Sequence, residues 1–124
     1  MNKIKLLIID DNKNLVDMIR EYFKDNKKIS VNYVAEDGKY GIDIIDKHSD
    51  NIDIILLDLV MPRVDGVEVL EYLKKNNINK KIIVLTSYNT QEMIRKVSEL
   101  GVCYYMLKPF ELSHLKAKIE SVYA

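Results

Sequence analysis

The sequence predicts an α/β fold, a (βα)5 doubly wound parallel sheet with helices on both faces and right-handed crossovers. Three observations predict it. Short apolar, β-branched runs alternate with segments whose apolar residues recur at helical spacing. The run Ile52 to Leu57 is apolar throughout, as expected of a strand covered on both sides. Four apolar runs also end on polar side chains, at Asp10-Asp11, Asp58, Thr86 and Lys108.

Taken in order, Ile4 to Ile9 reads as a buried strand. A helix follows from about Asn14, with Leu15, Ile19, Tyr22 and Phe23 on one stripe and Asn12 or Asn14 as its cap. Ile29 to Ala35 alternates as a strand does, and Asp37-Gly38 marks a turn. Tyr40 to His48 reads as a helix burying Ile42 and Ile45, and Ile52 to Leu57 as the central strand. Pro62 and Asp65-Gly66 shape a loop, after which Val67, Leu70 and Leu73 or Lys74 carry a third helix. Lys81 to Thr86 is the fourth strand. Asn89 and Glu92 have capping-box spacing before a helix burying Met93, Ile94 and Val97, and Gly101 stops it. Tyr104 to Leu107 is the fifth strand. Leu112, Leu115, Ile119 and Val122 form the stripe of a last helix.

With 124 residues the chain is expected to be one domain, 1–124, ending at a domain boundary. Its 19 basic and 19 acidic residues cancel, which argues against a nucleic-acid face. No apolar stretch approaches the roughly 20 residues of a membrane span. The N-terminus does not fit a signal peptide. The single cysteine, Cys103, is expected to be a packing residue and fits a reducing cytosol.

In an open parallel sheet the carboxyl ends of the strands share one edge, where ligands bind. Asp10, Asp11, Asp58, Thr86 and Lys108 are therefore expected to meet. Crowded carboxylates repel one another and raise each other's pKa values. A hard divalent cation such as Mg²⁺ resolves that repulsion through oxygen ligands. Asp58, ending the central strand, is the candidate phosphoacceptor, since a carboxylate can attack phosphorus to form an acyl phosphate. Thr86 offers a hydroxyl and Lys108 an ammonium to phosphoryl oxygens. Lys108-Pro109 is a candidate cis bond. Asp50 and Asp53 precede their strand and read as surface acids; His48 and His114 read as surface residues.

These residues resemble the markers of the response-regulator receiver domain of two-component signalling. The acidic pair, the Asp58-x-x-x-Pro62-x-x-Asp65-Gly66 loop, Thr86 and Lys108-Pro109 follow that family's order along the whole chain. The resemblance implies a flavodoxin-like sheet of strand order 2-1-3-4-5. It implies phosphoryl transfer to Asp58 from a sensor histidine kinase or histidine phosphotransfer protein. It implies Mg²⁺, for which Mn²⁺ or Ca²⁺ can substitute, held by Asp11, Asp58 and the Val60 carbonyl, with Asp10 acting through water. It further implies that Thr86 moves toward the phosphoryl group and Tyr105 swings inward as the switch aromatic. The runs around Asp10, Asp58 and Lys108 are most similar to receivers of sporulation transcription regulators. Such regulators contact DNA through a further domain, and receivers of transcription factors often pair when phosphorylated. A stand-alone single-domain receiver, acting as a phosphorelay intermediate or as a protein-binding switch, is the alternative.

An enzyme using an aspartyl phosphate would want a second acid two residues after Asp58, and Val60 stands there. A flavin carrier would need a hydroxyl- and glycine-rich loop where Asp10-Asp11 stands. No Gly-x-x-x-x-Gly-Lys nucleotide loop is present. Neither Val60 nor Tyr88 could orient an attacking water, so slow self-dephosphorylation is expected.

Overall fold

In a computed structural model of the chain, residues 2–61, 64–87, 90–102 and 104–124 are described. Strands and helices alternate throughout: β1 (Ile4–Ile9), α1 (Lys13–Phe23), β2 (Ile29–Ala35), α2 (Gly38–His48), β3 (Ile54–Asp58), α3 (Gly66–Lys75), β4 (Lys81–Thr86), α4 (Gln91–Glu99), β5 (Tyr104–Leu107) and α5 (Leu112–Tyr123). A 3₁₀ turn, Ser49–Asn51, follows α2. All strand pairs are parallel and their order is β2-β1-β3-β4-β5.

Period-two alternation divides the sheet's side chains between two cores. Ile54 and Leu56 of β3, with Leu6 and Ile8 of β1, pack against α1 and α5 through Val16, Ile19, Phe23, Leu115 and Ile119. Ile55 and Leu57, with Leu7 and Ile9, face α2, α3 and α4 through Ile44, Ile45, Val69, Leu70 and Val97. Every residue of β3 is buried, so its continuous apolar run is explained by cover on both faces.

Several helix details depart from the sequence expectation. Tyr22 is exposed and meets Phe23 edge-on at 5.1 Å; Val16 takes its place in the core. In α2 the buried isoleucines are Ile44 and Ile45, while Ile42 is half-buried. That helix starts at Gly38, not Tyr40, because the Asp37 side chain caps it by accepting from Tyr40 N at 2.8 Å. The cap of α4 is Thr90, whose hydroxyl accepts from Met93 N at 3.2 Å, one residue beyond the expected Asn89. Asn89 lies outside the described residues, as do Pro62, Tyr88 and Cys103. In α4 only Val97 is buried; Met93 and Ile94 are half-covered.

Asp53 does more than keep the surface soluble. Its carboxylate accepts from Lys5 N at 2.8 Å, and its own N–H donates to Lys5 O at 2.8 Å, tying the entry of β3 to β1. Asp50, His48 and His114 are exposed, and His48 stacks on Tyr33 at 4.7 Å.

Candidate functional site

Strand register explains how residues distant in sequence converge. Ile9 pairs with Leu57, so Asp10 and Asp58 are the next residues on adjacent strands at the carboxyl edge. Asp58 pairs with Leu85, and Thr86 pairs with Leu107. Thr86 therefore lies one step beyond Asp58, and Lys108 one step beyond Thr86. This stagger, with four methylenes of side chain, carries the Lys108 ammonium back across β4 and β3 to Asp10. Lys108 N donates to Thr86 O at 2.8 Å, and the Lys108–Pro109 bond is cis.

The three carboxylates are held unequally. Asp10 has a fully buried side chain; its Oδ1 accepts from Asn12 N at 2.8 Å and its Oδ2 from Lys108 Nζ at 2.8 Å. Asp11 is exposed. Asp58 is buried, yet among the described residues its nearest donors are distant: Val60 N at 3.4 Å from Oδ1 and Lys108 Nζ at 3.7 Å from Oδ2. Burial, and then the negative charge of Asp10, push the Asp58 carboxyl up from 3.8 to about 6, against the opposing pull of Lys108. Of the two buried acids, Asp58 is thus the more weakly bonded among the described residues, and it is central in the cleft. A weakly bonded carboxylate is free to act as a nucleophile.

The donor set suits a hard divalent cation. One oxygen from each of Asp10, Asp11 and Asp58 lies within 4.8 Å of the others. Adjacent ligands around Mg²⁺ stand about 3 Å apart, so small side-chain movements would close the set. Among the described residues the pocket offers oxygen ligands and no imidazole. Three carboxylates against one ammonium leave two negative charges when Asp58 is ionised, which a divalent ion neutralises. Thr86 is buried at the same edge, 2% exposed, while Tyr105 on β5 is 37% exposed.

The loop leaving β3 is shaped by a feature that the sequence reading passed over. Asp65 and Glu68 form a reciprocal capping box at the start of α3, with bonds of 2.9 and 3.2 Å. The Asp-x-x-Glu spacing was the available signal. Gly66 is required beside it, because a Cβ there would lie 2.2 Å from Asp58 O.

Five parallel strands in the order 2-1-3-4-5, with an acidic pocket at their carboxyl edge, define a flavodoxin-like α/β domain. Within that class the chain belongs to the response regulator receiver domain family, whose model matches residues 6–120. The receiver domain of the Francisella response regulator 1452 is 32% identical, covers 98% of this chain and 97% of its own, and has a TM-score of 0.85. The receiver domain of AraT from Geobacillus stearothermophilus is 28% identical over 98% of this chain and 94% of its own, with a TM-score of 0.80. The fold is also that of a chain in the CheX–CheY–BeF3–Mg complex of Borrelia burgdorferi, with 23% identity, 98% and 90% coverage and a TM-score of 0.88. Receiver domains are phosphoacceptor signalling modules of two-component systems, work with histidine kinases or phosphotransfer proteins, and generally bind Mg²⁺ at an acidic pocket. Among the described residues no helix is long and apolar enough to cross a membrane.

Proposed function

We propose that Asp58 accepts the phosphoryl group of a phosphohistidine on a sensor kinase or phosphotransfer protein. The observation that carries this reading is the central, buried and weakly bonded Asp58 carboxylate. One of its oxygens forms a bond to phosphorus as the P–N bond breaks. The imidazole departs with that electron pair and takes up a proton. Lys108 leaves Asp10 to bind one phosphoryl oxygen, and the Thr86 hydroxyl donates to another. Asp11, Asp58 and the Val60 carbonyl would hold Mg²⁺, with the Asp10 carboxylate close by as a further oxygen group. When bound, Mg²⁺ supplies neutralisation of the negative charge that gathers as phosphate meets carboxylate. Movement of Thr86 leaves room for Tyr105 to swing inward, a shift between two packings of an exposed ring.

The finer assignment is to a sporulation transcription regulator. It rests on the runs Asp10-Asp11-Asn12-Lys13, Val60-Met61-Pro62 and Tyr104-Tyr105-Met106-Leu107-Lys108-Pro109-Phe110. In this reading residues 1–124 form one cytoplasmic receiver domain. Its phosphorylation drives pairing through β4, α4, β5 and α5, and DNA is contacted by a further domain. Val60 and Tyr88 bring no acid or amide to an attacking water, so the acyl phosphate is long-lived. An acyl-phosphate half-life of seconds in Mg²⁺ buffer would contradict that, and Val60→Asn with Tyr88→Glu should shorten it.

Incubation with acetyl phosphate and Mg²⁺, followed by intact mass measurement, tests the reading. A gain of one phosphoryl group is expected. Continuous release of inorganic phosphate would indicate a hydrolase instead.

A further inference from the structure

Two glycines from different elements meet the loop that follows Asp58. Gly66 N donates to Leu59 O at 3.0 Å, drawing the end of the loop back onto its start. Gly38, the first residue of α2, meets the same loop at Val64. Its N–H, one of the helix-start donors that lack an intrahelical partner, donates to Val64 O at 2.9 Å. A Cβ at Gly38 would lie 2.1 Å from that oxygen, 2.8 Å from Val64 C and 2.9 Å from Val64 Cγ1. These contacts are mostly with backbone, so any larger residue must displace the chain. Asp37, 5% exposed, holds the same helical turn in place through its bond from Tyr40 N.

We propose that Gly38 is a positioning residue for the phosphoacceptor site, acting through Val64 and the Gly66–Leu59 bond on Leu59 and the Val60 carbonyl next to it. The inference rests on the reading of Asp58 and its metal ligands given above. It places one determinant of metal binding on α2, which contributes no ligand. Gly41, one turn further along α2, is the natural comparison. A Cβ there would lie 2.5 Å from Ile9 Cδ1, also a crowded position though less so than Gly38, and the neighbour is a side chain. The Ile9 backbone is held between Ala35 and Leu57 on both flanking strands, so that collision is absorbed in the core.

The experiment compares wild type, Gly38→Ala and Gly41→Ala for thermal stability, for Mg²⁺ affinity by calorimetry and for labelling rate with acetyl phosphate. Both variants should melt at lower temperature. At a temperature where all are folded, Gly38→Ala should bind Mg²⁺ about tenfold or more weakly and label more slowly below metal saturation. Gly41→Ala should bind Mg²⁺ as wild type does. Equal Mg²⁺ affinity in wild type and Gly38→Ala, or an equal loss in Gly41→Ala, overturns the proposal. If Gly38→Ala does not fold, Asp37→Ala frees the same turn without adding bulk: weaker Mg²⁺ binding supports the proposal and unchanged binding overturns it. A wild type that binds Mg²⁺ but takes no phosphoryl group would sink the reading of Asp58 while leaving this one to the binding constants.

Discussion

Strands β3 and β5 belong to one sheet and meet opposite surroundings. All five residues of β3 are buried, whereas Tyr104, Tyr105 and Leu107 of β5 are 39%, 37% and 42% exposed. The helices repeat the contrast: α4 buries Val97 alone, while α1, α2, α3 and α5 each bury three residues or more. The closely packed region carries the acids Asp10 and Asp58. The sparsely packed region carries Tyr105 and leads to Lys108. Burial of few apolar groups makes a segment inexpensive to displace. A site built across this boundary can keep its acceptor fixed while its surroundings respond.

The largest expected effect separates the two regions by stability. Leu57→Ala on β3 should cost about 3–4 kcal/mol in urea unfolding, as transfer and cavity terms add in a close-packed core. Leu107→Ala on β5 should cost less than about 1 kcal/mol. Similar losses at both positions would remove the distinction.

A smaller effect concerns pH. The folded protein raises the Asp58 carboxyl from 3.8 to about 6, so this group binds its proton more tightly folded than unfolded. Its contribution to stability is greatest below about 4 and is lost as pH rises through about 6. Without divalent ions, Asp58→Asn should therefore be the more stable protein at pH 7, by about 1–2 kcal/mol after allowance for screening by water. The advantage should shrink on acidification to pH 4, and Mg²⁺ should stabilise wild type more than the variant. Melts in chelator at the two pH values check this; a variant less stable than wild type at pH 7 would contradict the cause assigned to the shift.

The smallest effect is local. Thr90→Ala removes the cap of α4 and should cost about 1 kcal/mol. Faster amide exchange should appear in α4 and leave β1 and β3 unchanged.

Much of the fold was legible because the buried strands β1, β3 and β4 read as apolar runs, while β2 showed alternation and β5 stood between Gly101 and Lys108-Pro109; β1, β2, β4 and β5 lie between the residues that the sequence marks. Helix starts were less legible. Asn89 and Thr90 are both good caps by composition, and it is the Thr90 side chain that accepts from Met93 N. The convergence of Asp10, Asp58, Thr86 and Lys108 was visible because each follows or ends an apolar run. That Lys108 bonds closely to Asp10 and leaves Asp58 at 3.7 Å was not visible, since it depends on the stagger of four strands. The demand for glycine at position 38 was hidden for the same reason: Val64 is far away in sequence and adjacent only in the fold.

Locating the label tests the central claim most directly. Protein treated with acetyl phosphate and Mg²⁺ is trapped by reduction of the acyl phosphate and digested, and the modified residue is identified by mass spectrometry. The account predicts modification at Asp58 and none in Asp58→Asn. Modification at Asp10 or Asp11, or undiminished labelling of the variant, would contradict it.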